Sequence, residues 1–210
     1  MREPAFAVGM GTGHTSLKPN STGSDPAASL PDLVATDLDV IFVGINPSSF
    51  SVAQGHYFAR KANRFWPCFS ASALSLSARE ALGVTRLEPI HDRALLDHGF
   101  GFTDAVKRAS PRASDISRAE FSAGVANLVA KLERFRPRVA CFHGIMAYRQ
   151  VHRALAPSQA DPVLGPQAVL IATTRIYVVP NPSPANAHFT PADQVRWYDQ
   201  LARDLAGPER

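Results

Sequence analysis

Cysteine is nearly absent from this chain: two residues in 210, Cys68 and Cys141, far apart and each inside an apolar segment. Two thiols cannot complete a four-cysteine zinc site or carry an iron–sulfur cluster on thiolates alone. They read instead as reduced, buried side chains of a cytosolic protein. Long hydrophobic runs are missing too, and none approaches the ~20 residues of a bilayer-spanning helix, so no membrane role is expected. The first residues lack the basic-then-apolar pattern of a secretion signal. Excess charge is small: +4 overall, with a pI near 9.4, which permits a polyanionic partner without requiring one.

What is present is enough for one core. Hydrophobic residues make up 45% of the chain, ordinary for a globular protein, and the length suits a single domain. Residues 1–33, rich in Gly, Ser, Thr and Pro, have the composition of a disordered tail; residues 34–210 are expected to hold the domain. Within it strand and helix signals alternate. Asp39 to Gly44 is a β-branched and aromatic run, and Asn63 to Trp66 opens a helix. His91 to His98 reads as a short helix closed by Gly99. Ser117-Arg118-Ala119-Glu120 has the capping-box pattern before an apolar stripe from Phe121 to Phe135. Pro137 ends that helix, Val139 to Phe142 is the next strand, and Gly144 turns into another helix. Ala168–Ala172 and Arg175–Val179 suggest a hairpin around Thr173-Thr174. Thr190-Pro191 supplies an N-cap and a proline at N1 for the last helix. Such alternation predicts a three-layer α/β/α fold with a central, mostly parallel sheet.

In such a sheet ligands bind beyond the carboxyl ends of the strands. Two Asn-Pro-Ser turns fall there. Asn46-Pro47-Ser48 follows the first strand, and Asn181-Pro182-Ser183 follows the run ending at Val179. Either alone is common turn chemistry; together they are expected to face one crevice. Basic residues gather beside these loops: Arg60, Lys61 and Arg64 after the first, and Lys107, Arg108 and Arg112 in another loop. Both groups suit phosphate contacts. Arg134, Arg136 and Arg138 lie at a helix C-terminus, where cations are favoured anyway.

The pieces "GINP" at Gly44–Pro47, "ANRFW" at Ala62–Trp66, "GFTD" at Gly101–Asp104 and "NPSPANA" at Asn181–Ala187 occur in order over residues 39 to 205. In this the chain resembles the mismatch-specific uracil/thymine-DNA glycosylase family of the uracil-DNA glycosylase superfamily. The resemblance implies a compact α/β domain, expected to act as a monomer, that flips a base out of double-stranded DNA and hydrolyses its glycosidic bond with no metal or cofactor. It implies Asn46 as the catalytic asparagine, Phe58 as the stacking aromatic, and Asn181 where other branches carry a leaving-group histidine. Ser48 and Ser183 fall among the substrate-binding positions. Pro184, Ala185, Asn186 and Ala187 match the wedge that enters the gap left by the flipped base. The wedge departs from the family pattern, with no bulky apolar residue at Ala185 and no arginine at Ala187.

A carboxamide cannot serve as a general base, so Asn46 can only fix a water. Asp104 is the second catalytic candidate: at the end of Phe102-Thr103-Asp104 a carboxylate could orient or deprotonate that water. Equally, it could pair with Lys107 or Arg108, or cap the following turn. Backbone N–H groups such as those of Ser48 and Phe58 suit the carbonyl oxygens of a departing uracil anion. His56 and His188 neighbour the site loops as phosphate or water contacts, and His143 is a lesser candidate at a strand end. Asp92 and Asp97 read as solvated. No lysine sits where a Schiff-base nucleophile would, which favours a monofunctional enzyme. The expected partner is duplex DNA carrying uracil, in the cytoplasm with the DNA, or in the nucleoid of a bacterium. Two rivals remain: a non-catalytic damage-binding module and a nucleoside hydrolase.

Overall fold

The computed structural model describes residues 29–158 and 160–207. Five strands, β1 (Val40–Gly44), β2 (Phe100–Asp104), β3 (Val139–His143), β4 (Gly165–Ile171) and β5 (Thr174–Val179), form one sheet in the order β2-β1-β3-β5-β4. β1 runs parallel to β2 and β3, and β3 parallel to β5. β4 closes one edge antiparallel to β5. The helices are α1 (Ser49–Gln54), α2 (Phe65–Ala71), α3 (Leu76–Leu82), α4 (Arg118–Phe135), α5 (Ile145–Leu155) and α6 (Pro191–Ala206).

Strand side chains alternate between faces, and here both faces are apolar. Val40, Phe42, Phe100, Phe102, Val139, Cys141 and Tyr177 join one core, which includes Phe65 and Phe69 of α2 and Tyr198 and Leu201 of α6. Ile41, Val43, Ala140, Phe142, Ile176 and Val178 join the other, with Leu128 and Leu132 of α4 and Tyr148 and Val151 of α5. A sheet buried on both sides reads as continuous apolar runs. The three-layer α/β/α architecture follows.

Local signals largely hold. Ser117 and Glu120 form the capping box of α4, and Thr190 caps α6 with Pro191 in its first turn and Asp193 completing a second box. The hairpin is present, but its turn falls one residue early, at Ala172-Thr173, with Ala172 at φ 51°. The helix expected over His91–His98 is a 3-10 segment at Ala94–His98, closed by Gly99 at φ 82°. α1 and α3 are unanticipated; six and seven residues are too few for a helical period to show.

The tail expected over residues 1–33 lies outside the described residues as far as residue 28, and its last part needs correcting. Leu30 and Leu33 are buried, and Leu33 exchanges two backbone hydrogen bonds with Phe102, at 2.9 and 2.8 Å. Asp32 accepts from Thr103 Oγ1 and pairs with Lys107 and Lys131. Burial opposes ionisation of Asp32, but bonds from Lys131, Lys107 and Thr103 outweigh it and hold the carboxyl below its usual range. The packed unit therefore includes Leu30 to Leu33, a stretch too short for composition to reveal.

Candidate active site

All four parallel strands end at the same edge of the sheet, where a cavity of about 500 Å³ opens. Asn46 lies two residues past β1 and Asn181 two past β5, while Asp104 and His143 are the last residues of β2 and β3. All four line the cavity, together with Ser48, Phe58, Arg60, Ser183, Pro184 and Ala185. The two Asn-Pro-Ser turns do face one crevice.

Asn46 is held by its amino end. Its Nδ2 donates to Ser110 Oγ at 2.9 Å, to the Pro47 carbonyl at 3.1 Å and to the Arg108 carbonyl at 3.3 Å. Three acceptors around Nδ2 settle which end of the carboxamide is which. Among the described residues Oδ1 is left without a donor, as an acceptor at the cavity wall. Pro47 stiffens the turn and its carbonyl accepts from Ser110 N–H. Ser48 Oγ accepts from Ser51 N–H and so caps α1. Ser110, missed at the level of sequence, is thus the brace of Asn46; a serine in a loop rich in Arg, Ser and Pro carries no signal of that task.

Asp104 is 5% exposed, and its Oδ2 is buried without a hydrogen-bond partner among the described residues. Burial pushes its carboxyl up to about 7; Lys107 pulls it down, Asp32 pushes it up, and Lys131 pulls it down again. The pairings weighed against a catalytic role are absent. Lys107 is taken by Asp32 and reaches the Tyr57 hydroxyl, and Arg108 is taken by Glu120. Room for the carboxylate comes from Gly44, Asp104's partner across the β1–β2 ladder. A Cβ built there would lie far inside van der Waals contact with Asp104 Oδ1.

Phe58 has two roles. One face stacks on Phe65, centroids 4.4 Å apart at 21°, yet the residue also lines the cavity. Its backbone is left-handed, φ 51°, a state that costs a non-glycine residue ~1–3 kcal/mol and persists only where neighbours impose it. They do: Tyr57 N–H donates to Asp92 Oδ2, the Tyr57 carbonyl accepts from Trp66 Nε1, and Ala59 N–H donates to Ser51 Oγ. Asp92, expected to be solvated, is 1% exposed and holds both Tyr57 N–H and His56 Nδ1. It is buried because the two donors of the Phe58 loop replace its water. His56 is tied to that carboxylate, while His188 is exposed and outside the cavity wall.

The second turn is self-bonded. Ser183 N–H donates to Asn181 Oδ1, Ala185 N–H to Ser183 Oγ, and Asn186 Nδ2 to the Asn181 carbonyl. Gly144, at φ 98°, lets this turn approach: a Cβ there would come 3.1 Å from that of Asn181. Pro184 and Ala185 reach the cavity, but Asn186 and Ala187 do not line it. Arg64, expected on phosphate, is instead the strap of this loop. Its guanidinium donates to the carbonyls of Phe189 (2.5 Å), Asn186 (2.7 Å), Ser183 (2.9 Å) and Pro182 (3.5 Å), four of its five N–H groups. Lys107, Arg108 and Arg112 are similarly committed to Asp32, Glu120 and Asp115. Arg60, whose guanidinium lies over the exposed Phe50 ring, and Lys61 remain exposed beside the opening.

His143, a lesser candidate in the sequence, belongs to the wall. It is 2% exposed, its Nε2 is 2.9 Å from the Tyr198 hydroxyl, and Phe58 lies 5.2 Å away at 71°. Burial pushes the imidazole down to about 3. It is therefore neutral at any physiological pH.

The chain resembles a solved protein from Methanosarcina acetivorans, provisionally named a uracil DNA glycosylase. The solution NMR structure superposes with a TM-score of 0.50 at 20% sequence identity, covering 84% of this chain and 99% of that one, a likeness of fold. The sequence profile of the uracil DNA glycosylase superfamily matches residues 31–206, from Pro31 at the buried N-terminal segment through the strand ends to the last turn of α6. The chain is a member of the uracil DNA glycosylase superfamily.

Proposed function

We propose that this protein is a monofunctional DNA glycosylase that hydrolyses the N-glycosidic bond of uracil in double-stranded DNA, G·U mismatches especially. The observation that carries the reading is Asp104: a buried carboxyl with an unpartnered oxygen, poised near neutrality, in the same cavity wall as the free Oδ1 of Asn46. Superfamily membership and the name of the Methanosarcina neighbour point the same way.

The chemistry is then simple. A base in a duplex must be extruded before its glycosidic bond can be reached. Phe58 offers it an aromatic surface. A water donates one hydrogen to Asn46 Oδ1 and the other to ionised Asp104. Its oxygen bonds to C1′ as the C1′–N1 bond breaks, the electron pair leaves on uracil, and the proton passes to Asp104. The N–H groups of Ser48 and Phe58 and the Nδ2 of Asn181 supply donors for the carbonyl oxygens of the departing anion. Arg60 and Lys61, with Pro184 and Ala185, form the rim for the duplex.

Single-turnover release of free uracil from a labelled G·U duplex, beside the A·U duplex and single strand, tests this. Uracil release fastest from G·U, with strand scission only after alkali treatment, is expected. Tight duplex binding without release would leave a damage-binding module, and turnover of free uridine a nucleoside hydrolase.

A further inference from the structure

We propose that Asp32 is a positioning residue for Asp104: it holds Lys107 and Lys131 away from the carboxylate of the crevice and so leaves that group free to take a proton. The assignment rests on the reading of the preceding subsection and deepens it, naming what sets the charge state of its base.

Asp32 is fixed on both sides. The Pro31 carbonyl accepts from the Tyr57 hydroxyl at 3.1 Å, and Leu33 is bonded twice to Phe102 along the free edge of β2. That places Asp32 beside Thr103, whose hydroxyl donates to Oδ1 at 2.7 Å and accepts from Lys131 Nζ at 2.7 Å. Lys107 Nζ donates to the same Oδ1 at 2.9 Å, and Lys131 Nζ pairs with Oδ2. Two ammonium groups and a hydroxyl thus use both carboxylate oxygens. Thr103 and Asp104 are consecutive on β2 and point to opposite faces. Lys131 is drawn to the Thr103 side. Lys107, just past the end of β2, is tied to Asp32 and reaches the Tyr57 hydroxyl at 3.3 Å.

Lys107, Lys131 and Asp32 carry a net charge of +1 between them. Without the Asp32 carboxylate the sum is +2, and both ammonium groups lose their ion pair. Of the two, Lys107 acts more strongly on Asp104, and Asp32 opposes it. The other groups around the site do not substitute. Burial pushes the Tyr57 hydroxyl far above its usual range and the His143 imidazole down to about 3, so both are neutral. Arg112, in the cavity wall, is paired with Asp115, and Arg60 lies over Phe50. A freed Lys107 would therefore turn to Asp104, whose buried oxygen has no partner among the described residues. Such a pair makes the carboxylate a weaker base and occupies an oxygen that the water needs.

The test uses the whole protein labelled with [4-¹³C]aspartate, in which the Asp104 signal is the one missing from Asp104→Asn. Its titration in wild type should centre at about 7. Asp32→Asn keeps an acceptor for Thr103 and removes the charge. There the midpoint should move toward acid by about one to three pH units, the effect of an opposite charge at close range. Adding Lys107→Met returns the net charge to +1 and should return the midpoint. Single-turnover uracil excision should follow: in Asp32→Asn its acid limb moves with the titration, and its plateau falls about 10-fold because a weaker base takes the proton. An aspartate that only anchors the N-terminal segment would shift neither midpoint nor limb. An unmoved Asp104 midpoint in folded Asp32→Asn, no return with Lys107→Met, or an excision limb that ignores a moved midpoint overturns the proposal. Should Asp32→Asn not fold, Lys107→Met alone decides. A midpoint rise under about one pH unit fits a lysine held by Asp32; a larger rise shows one already paired with Asp104 and overturns the proposal. A titration that moves as stated in a protein that releases base from no duplex would sink the proposed function and leave the hold of Asp32 on Asp104 standing.

Discussion

Replacing Asp104 by asparagine keeps the shape of the side chain and removes its ionisation, which separates two effects that one group should produce. The carboxyl is raised from 3.8 to about 7 by burial. Between those values the folded protein holds a proton that the unfolded chain has released, so raising the pH favours unfolding. The stability contributed by the protonated form is whole below about 4 and is lost as pH climbs through about 7. At ~1.4 kcal/mol per unit, a shift of about three units costs about 4 kcal/mol at alkaline pH. Asp104→Asn carries no such slope, although its new amide brings a pH-independent penalty of its own. The quantity to follow is therefore how the difference between variant and wild type changes with pH, by urea denaturation from pH 4 to 9. Wild type should lose ground to the variant by several kcal/mol across that window. Single-turnover uracil excision should move the opposite way, rising with unit slope to about pH 7 and flattening above, because the ionised form accepts the proton. In Asp104→Asn the rate should fall by ~100-fold or more and lose that limb. A stability difference that does not vary with pH, or wild-type rates in the variant, would refute the reasoning.

Phe58→Ala should lose ~1–3 kcal/mol of transition-state stabilisation, the usual range for base–aromatic stacking; unchanged single-turnover rate and affinity would make the residue core only. Affinity for undamaged duplex should fall steeply with salt, and Arg60→Ala with Lys61→Ala should shrink the log–log slope by ~2, about 0.9 for each phosphate no longer neutralised. An unchanged slope would put the DNA on another face. Ser110→Ala removes one of three acceptors from Asn46 and should slow excision by ~10-fold, about one hydrogen bond, with duplex affinity intact; a matching loss of affinity would show that the serine shapes the surface instead.

Alternation of apolar strands with capped helices made the layers readable, and strand ends followed by Asn-Pro-Ser made the crevice readable. Those signals are local and survive in one dimension. What escaped depends on pairing across long stretches of chain. Arg64 looks like a free cation until its loop, more than a hundred residues later, returns beneath it. Lys107 and Arg108 read as phosphate contacts because nothing in the sequence reveals Asp32 or Glu120, in the first turn of α4, as their partners. Asp92 read as solvated because its donors, His56 and Tyr57, lie more than thirty residues upstream. The same remoteness hid the commitment of both lysines to Asp32, the circumstance that leaves Asp104 unpaired.

The absence of a side chain at Gly44 makes two positions on neighbouring strands a single heritable unit. A methyl group at 44 would overlap Oδ1 of Asp104 in this rotamer, so alanine there would swing the carboxylate away from its present place in the cavity wall. The glycine is therefore the permissive residue: the aspartate keeps this orientation only while its neighbour across the ladder bears no side chain.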